Sequence, residues 1–190
     1  FTACDSFLDE EPKSSLTLDT YYKTSADIIG NVNYLYRDGA PDKMGNMTGA
    51  YRGSSLSVMN MVTGYFVNEY EGQEVDCSYA RQLTRQDFTQ SCCNYLTNDT
   101  WKSCYKSINV ANAVIKYVDG VEMDNQAQYK AEARFFRALN YFYLVKMFGD
   151  VPMVTEPTED ATLVEYPTRT AASEVFNTVI IPCLLYTSPS

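Results

Sequence analysis

The 190-residue chain contains no histidine, and that absence removes whole classes of chemistry. Ser-His-Asp and Cys-His catalysis, and every histidine metal site, are excluded within these residues. Cysteine offers no substitute: Cys92 and Cys93 are adjacent and no Cys-x-x-Cys occurs, which argues against zinc. Neither Gly-x-x-x-x-Gly-Lys-Ser/Thr nor Gly-x-Gly-x-x-Gly is present, so no phosphate-cradling loop is legible. Basic residues are in deficit, 15 Lys+Arg against 24 Asp+Glu for a net charge of −9, the reverse of what nucleic-acid phosphates demand. Long apolar runs are missing too. The longest internal uncharged stretch, Gly53 to Asn68, is rich in Gly, Ser and Asn and falls short of the ~20 residues that cross a bilayer. Carboxylate pairs such as Asp9/Glu10 and Glu159/Asp160 sit in polar segments beside prolines, where nothing raises a pKa for general-acid work. They read as solvated surface charge, and no cofactor is implied.

What is present is helical periodicity. In the stretch Ala131 to Pro157, Phe136, Leu139, Tyr143, Leu144 and Met147 form one amphipathic stripe, and Phe135, Leu139, Phe142 and Val145 a second. A helix apolar nearly all round in its second half has to be sandwiched between others. Gly149 stands where a left-handed C-cap is wanted and Pro152 cannot continue the helix, which places its end near Phe148. Asp124 or Asn125 is the expected N-cap. Upstream, Asn98 or Asp99 is expected to cap a helix with the stripe Trp101, Cys104, Tyr105, Ile108, Ala111 and Ile115, ended by Asp119-Gly120. The two form an αα-hairpin.

Thr24-Ser-Ala-Asp27 has the form of a capping box, with the Thr24 hydroxyl bonding the Asp27 amide and the carboxylate reaching back. It opens a helix over Ser25 to Arg37, closed by Asp38-Gly39-Ala40-Pro41-Asp42. Ser54 to Phe66 is apolar enough for another helix. Residues 67–97 show no sustained period and read as a long loop. Between Val151 and Thr170, Pro152, Pro157 and Pro167 mark an extended connector, after which Thr170 is expected to cap a last helix, Ala171 to Ile181. The fold class is all-α.

The long loop is the candidate binding element. Sixteen tyrosines are many for this length, and a loop tyrosine can lay its ring on a sugar or peptide side chain while its hydroxyl stays wet. Tyr65, Asn68, Tyr70, Tyr79 and Arg81 are the candidate ligand contacts, with Phe66 and Arg85 in the same stretch.

Both ends of the chain carry further signals. The last eight residues, Cys183 to Ser190, read as the translation of a transposase-based sequencing adapter and are set aside from fold reasoning, which leaves 24–182 as the helical region. The opening Phe1-Thr-Ala-Cys4 looks like the end of a bacterial lipoprotein signal, with residues 1–3 the signal remnant and Cys4 the lipidated residue. Residues 4–23 then form an acidic tether, containing Asp5, Asp9, Glu10 and Glu11, and a first turn. Cys77, Cys92, Cys93 and Cys104 remain, free or joined in one of three pairings.

The stretch Ala131-Glu-Ala-Arg-Phe-Phe-Arg-Ala-Leu-Asn-Tyr-Phe-Tyr-Leu-Val-Lys-Met-Phe-Gly-Asp-Val-Pro, together with Trp101-x-x-x-Tyr105-x-x-Ile108-x-x-Ala111-Asn112 and Leu8-Asp-Glu-Glu-Pro12, resembles the SusD/RagB family of surface nutrient-binding lipoproteins of Bacteroidetes. The resemblance implies tetratricopeptide-like helical hairpins with long irregular loops, of which this chain is the N-terminal part. It implies a surface-exposed outer-membrane protein that spans no membrane and is held by lipid alone. It also implies a non-enzyme that binds an oligosaccharide or peptide and passes it to a SusC-like TonB-dependent transporter as a hinged lid. A structural helical-repeat adaptor without a small-molecule ligand is the alternative, and a surface glycoside hydrolase a more distant one.

Overall fold

The computed structural model describes residues 18–38, 62–65, 84–86, 90–158 and 167–187. Its spine is a helical hairpin. Helix α3, Gln90–Tyr117, runs against α4, Gln126–Phe148, with the 3-10 turn Val118–Gly120 between them. Antiparallel register follows from the contacts: the Trp101 ring meets Phe148 edge-on at 5.1 Å, Tyr105 meets Tyr141 at 6.4 Å, and the Arg137 guanidinium donates to Asn112 at 3.0 Å. Since α4 ends level with Trp101, the part of α3 from Gln90 to Trp101 projects roughly 16 Å past its partner.

Two cores share this spine. Ile28, Val32 and Leu35, at i, i+4 and i+7 on α2 (Ser25–Asp38), are fully buried with Ala111, Val114 and Val118 of the α3 end and Ala133 and Phe136 of α4. At the opposite end Cys104, Ile108, Tyr141 and Leu144 close over Val151, Val175, Val179 and Ile180. The latter group comes from a rod built of α5 (Ala172–Val175), a π-turn (Phe176–Ile180) and α6 (Ile181–Thr187). Pro182 explains the π-turn: it has no N–H and its ring crowds the carbonyl four residues back, and just before it the Ile181 amide bonds Phe176 five residues back.

Helix ends follow the expected signals at some positions and depart at others. Gly149 closes α4 with φ 69° and ψ −122°, a conformation open only to glycine, and its amide bonds Val145 O at 2.9 Å. At α2 the Asp27 carboxylate does reach back, accepting from the Thr24 amide at 2.8 Å. The Thr24 hydroxyl, however, donates to that carboxylate at 2.7 Å instead of receiving the Asp27 amide. A charged acceptor outcompetes a backbone donor for the hydroxyl, and these bonds hold the Asp27 carboxyl below its ordinary pKa. Asn125 does precede α4, but in the left-handed region and without a side-chain cap; Gln126 Nε2 instead bonds Val118 O at 3.3 Å and Val121 O.

Asn98 and Asp99 are not caps, because α3 begins at Gln90 and both lie inside it. The loop expected over 67–97 is therefore shorter. Of the helix expected over Ser54 to Phe66, only Val62–Tyr65 are described, and they form a turn with Gly64 at φ 77°. Thr170 is no cap either. It lies in β2 (Arg169–Thr170), paired antiparallel with β1 (Val151–Pro152), and the α5 amide of Ala172 is received by Asp150 Oδ1 at 2.9 Å. The short ladder brings in a capping carboxylate from far along the chain. The helix expected to end at Ile181 continues to Thr187. Of the residues assigned to α4's second stripe, Phe135 and Phe142 are substantially exposed, whereas Ala138, Asn140 and Tyr141 are buried.

Candidate functional site

Three features could bear on function. The first is the loop. Of the candidate contacts, Tyr65 is described: its side chain is 89% exposed, on a turn whose Thr63 hydroxyl receives the Tyr65 amide at 3.3 Å. Gln86 Nε2 donates to Val62 O at 3.4 Å, so Tyr65 and the exposed Arg85 sit on two stretches that a hydrogen bond draws together. Asn68, Tyr70, Tyr79, Arg81 and Phe66 lie outside the described residues, as do Cys4, Cys77 and residues 5–17 of the tether, whereas its last residues form the helix Leu18–Tyr21 and bury Tyr22.

The second feature is a polar clasp on the connector. Tyr141 OH donates to Val154 O at 2.8 Å and receives Val154 N at 2.6 Å, so one phenol satisfies both backbone groups of that residue. Tyr105 OH donates to Pro152 O at 2.7 Å. Asn112 Nδ2 donates to Val154 O at 3.0 Å and Glu156 O at 3.2 Å, while Asn109 Oδ1 receives Thr158 N at 2.7 Å. Burial pushes the Tyr141 phenol up to about 12 against the lowering effects of its Val154 bond and Arg137, and burial likewise raises Tyr105. Both therefore stay protonated donors at neutral pH. Arg137 Nη2 points at Cys183 Sγ at 3.3 Å, and its buried Nε has no partner. The clasp is structural: it lays 152–158 across α3 and α4.

The third is a cleft of about 300 Å³ between the start of α2 and the outer side of α3. Leu18, Val110 and Ala113 provide apolar lining, and Tyr21, Asn31 and Asn109 bring polar atoms. α1 (Leu18–Tyr21) carries Tyr21 into place, and the aromatic wall is braced. Tyr21 meets Tyr22 edge-on at 5.0 Å, and Tyr22 stacks on Tyr117 at 5.3 Å with planes 5° apart.

Sequence reasoning singled out none of Tyr21, Asn31 and Asn109. A signal was there, since asparagine is a poor interior helix residue and Asn31, Asn109, Asn112 and Asn140 all sit inside helices. Each has a tertiary or main-chain bond to make.

Cys104 resolves part of the cysteine question. It is a free thiol, fully buried between α3 and the second core, and burial raises its pKa to about 12. Cys104 is unpaired in this structure; Cys77 and the side chains of Cys92 and Cys93 are not among the described ones. Among the described residues no group of three or more His, Cys, Asp or Glu could hold a metal, and no helix is long and apolar enough to cross a membrane.

The comparisons with known proteins agree with one another. Residues 6–181 match the pattern of a SusD-like family described as starch-binding and associating with the outer membrane. A SusD-like protein of Formosa agariphila is 26% identical over 82% of this chain, and a second from the same organism is 25% identical over 91%. The chain spans 29% and 32% of the lengths of those two relatives. Among solved structures, a SusD superfamily protein from Parabacteroides distasonis superposes with a TM-score of 0.64 over 84% of this chain and 32% of that one, at 25% identity. A SusD-like carbohydrate-binding protein from Bacteroides fragilis gives 0.61 over 88% of this chain and 31% of its own, at 18% identity. That second likeness speaks to the fold alone.

Proposed function

The chain belongs to the SusD-like family, whose pattern it matches over residues 6–181, and on that premise we propose that it is the N-terminal part of a surface-exposed outer-membrane lipoprotein. In this reading it is held by acylated Cys4 on the tether of residues 4–23, with residues 24–182 forming the helical domain. It binds an oligosaccharide or peptide nutrient and delivers it to a partner TonB-dependent transporter. It turns nothing over. Ligand contact falls to the loop carrying Tyr65, Asn68, Tyr70, Tyr79 and Arg81.

The family match carries this reading, since the family's description joins starch binding to outer-membrane association. The exposed tyrosine at position 65, next to Gly64 in a turn, supports it with chemistry. An exposed aromatic face is how a protein grips a neutral sugar without charge.

The test uses the full chain in its native membrane. Affinity purification should bring down a large β-barrel, and calorimetry against candidate oligosaccharides and peptides should show saturable heat. Mass spectrometry of the mature N-terminus should find Cys4 acylated. A preparation that carries no barrel and gives no heat favours the adaptor reading, and one that shortens an added polysaccharide favours a hydrolase.

A further inference from the structure

The cleft beside α2 has a specific set of unspent hydrogen-bonding capacity. Asn31 must point its amide nitrogen at Asp27 O, 2.8 Å away, because a carbonyl can only accept; the same nitrogen reaches Tyr21 OH at 3.3 Å. That leaves Asn31 Oδ1 as an acceptor and the Tyr21 hydroxyl proton as a donor. Asn109 must turn its oxygen toward Thr158 N at 2.7 Å, because a backbone amide can only donate. Its Nδ2 hydrogens are then the group left over. One acceptor and two donors thus surround an apolar lining of Leu18, Val110 and Ala113, and among the described residues no charged side chain lines the cleft.

These groups select against ions. A phosphate or an ammonium would lose its hydration with no opposite charge to replace it. A purely apolar ligand would instead strand the two amides and the phenol. What fits is a neutral ring with one apolar C–H face and hydroxyls around its edge. The volume lies at the small end for ligand sites, one ring wide. The wall is also rigid: Tyr21 rests on Tyr22, which rests on Tyr117, so little side-chain freedom is lost on binding.

We propose that this cleft is a monosaccharide-sized site for a neutral pyranose, with Tyr21 as stacking wall and donor, Asn31 as acceptor and Asn109 as donor. It is built from α1, α2 and α3 and shares no residue with the loop carrying Tyr65, so it stands whether or not that loop binds ligand.

The experiment is saturation-transfer NMR on the full chain with a set of methyl glycosides of gluco, galacto, manno and xylo configuration. At least one should receive saturation from the protein. Asn109→Asp, which keeps the shape and the oxygen facing Thr158 but removes the donor, should weaken it about tenfold. Tyr21→Phe should weaken it less and Tyr21→Ala should abolish it, with an unchanged circular dichroism spectrum showing each variant folded. No saturated glycoside, or saturation indifferent to Asn109→Asp and Tyr21→Ala, overturns the site. If only Tyr65→Ala removes the signal, the loop reading survives and this one falls; if the signal tracks Tyr21 and Asn109 alone, the reverse holds.

Discussion

The two ends of the α3–α4 hairpin are fastened by different means. At the α2 end the interactions are mostly local or apolar: Asp27 bonds Thr24 three residues away, and Ile28, Val32 and Leu35 drop into a nonpolar groove. At the other end they reach across the chain: Tyr141 holds Val154, Tyr105 holds Pro152, and Asp150 caps a helix that begins at Ala172. The difference teaches where the structure is cooperative. The α2 end can loosen by releasing one helix, whereas the connector end is tied by bonds between distant residues, of which those of Tyr105 and Tyr141 are part-buried.

That contrast can be broken or sharpened by substitution. Tyr141→Ala removes a fully buried ring and should cost ~3–5 kcal/mol in denaturant unfolding. Tyr141→Phe keeps the ring and strands the Val154 amide, while the Val154 carbonyl keeps its Asn112 donor, for ~1–3 kcal/mol. Were Tyr141→Phe neutral, the connector would not depend on its clasp. Asp150→Ala should cost ~1 kcal/mol, the usual worth of an N-cap, and amide exchange should rise first at Ala172 to Val175.

The smallest effect belongs to the α2 end and is a pH effect. The Asp27 pKa is lowered in the folded chain by its Thr24 bonds. Its contribution is therefore present above the ordinary carboxylate pKa and is lost as pH falls through the lower folded value. Acid titration of wild type against Asp27→Asn should show a wild-type advantage at neutral pH that disappears in acid. The Tyr105 and Tyr141 phenols keep their protons at every lower pH and should contribute no matching step.

How much was legible follows the same division. The hairpin, its Gly149 stop, the α2 boundaries and the reaching-back carboxylate were readable because periodicity and caps are written within a few residues. Thr170 failed as a cap because a two-residue ladder took it and offered Asp150 in its place. The start of α3 failed because Asn98 and Asp99 are good capping types, yet capping is only a preference and the helix passes through them. Tyr141 belongs to neither apolar stripe of the sequence, since a residue that buries its ring while spending its hydroxyl on a distant backbone has no local mark. Of the candidate loop contacts, Tyr65 is exposed and Asn68, Tyr70, Tyr79 and Arg81 lie outside the described residues. The cleft escaped notice because Tyr21, Asn31 and Asn109 are far apart in sequence and ordinary one by one.

The overhang of α3 is a lever arm. Its tip at Gln90 stands some three helical turns beyond Trp101, where the hairpin's described core begins, so a small tilt of α3 about that core is magnified at the tip.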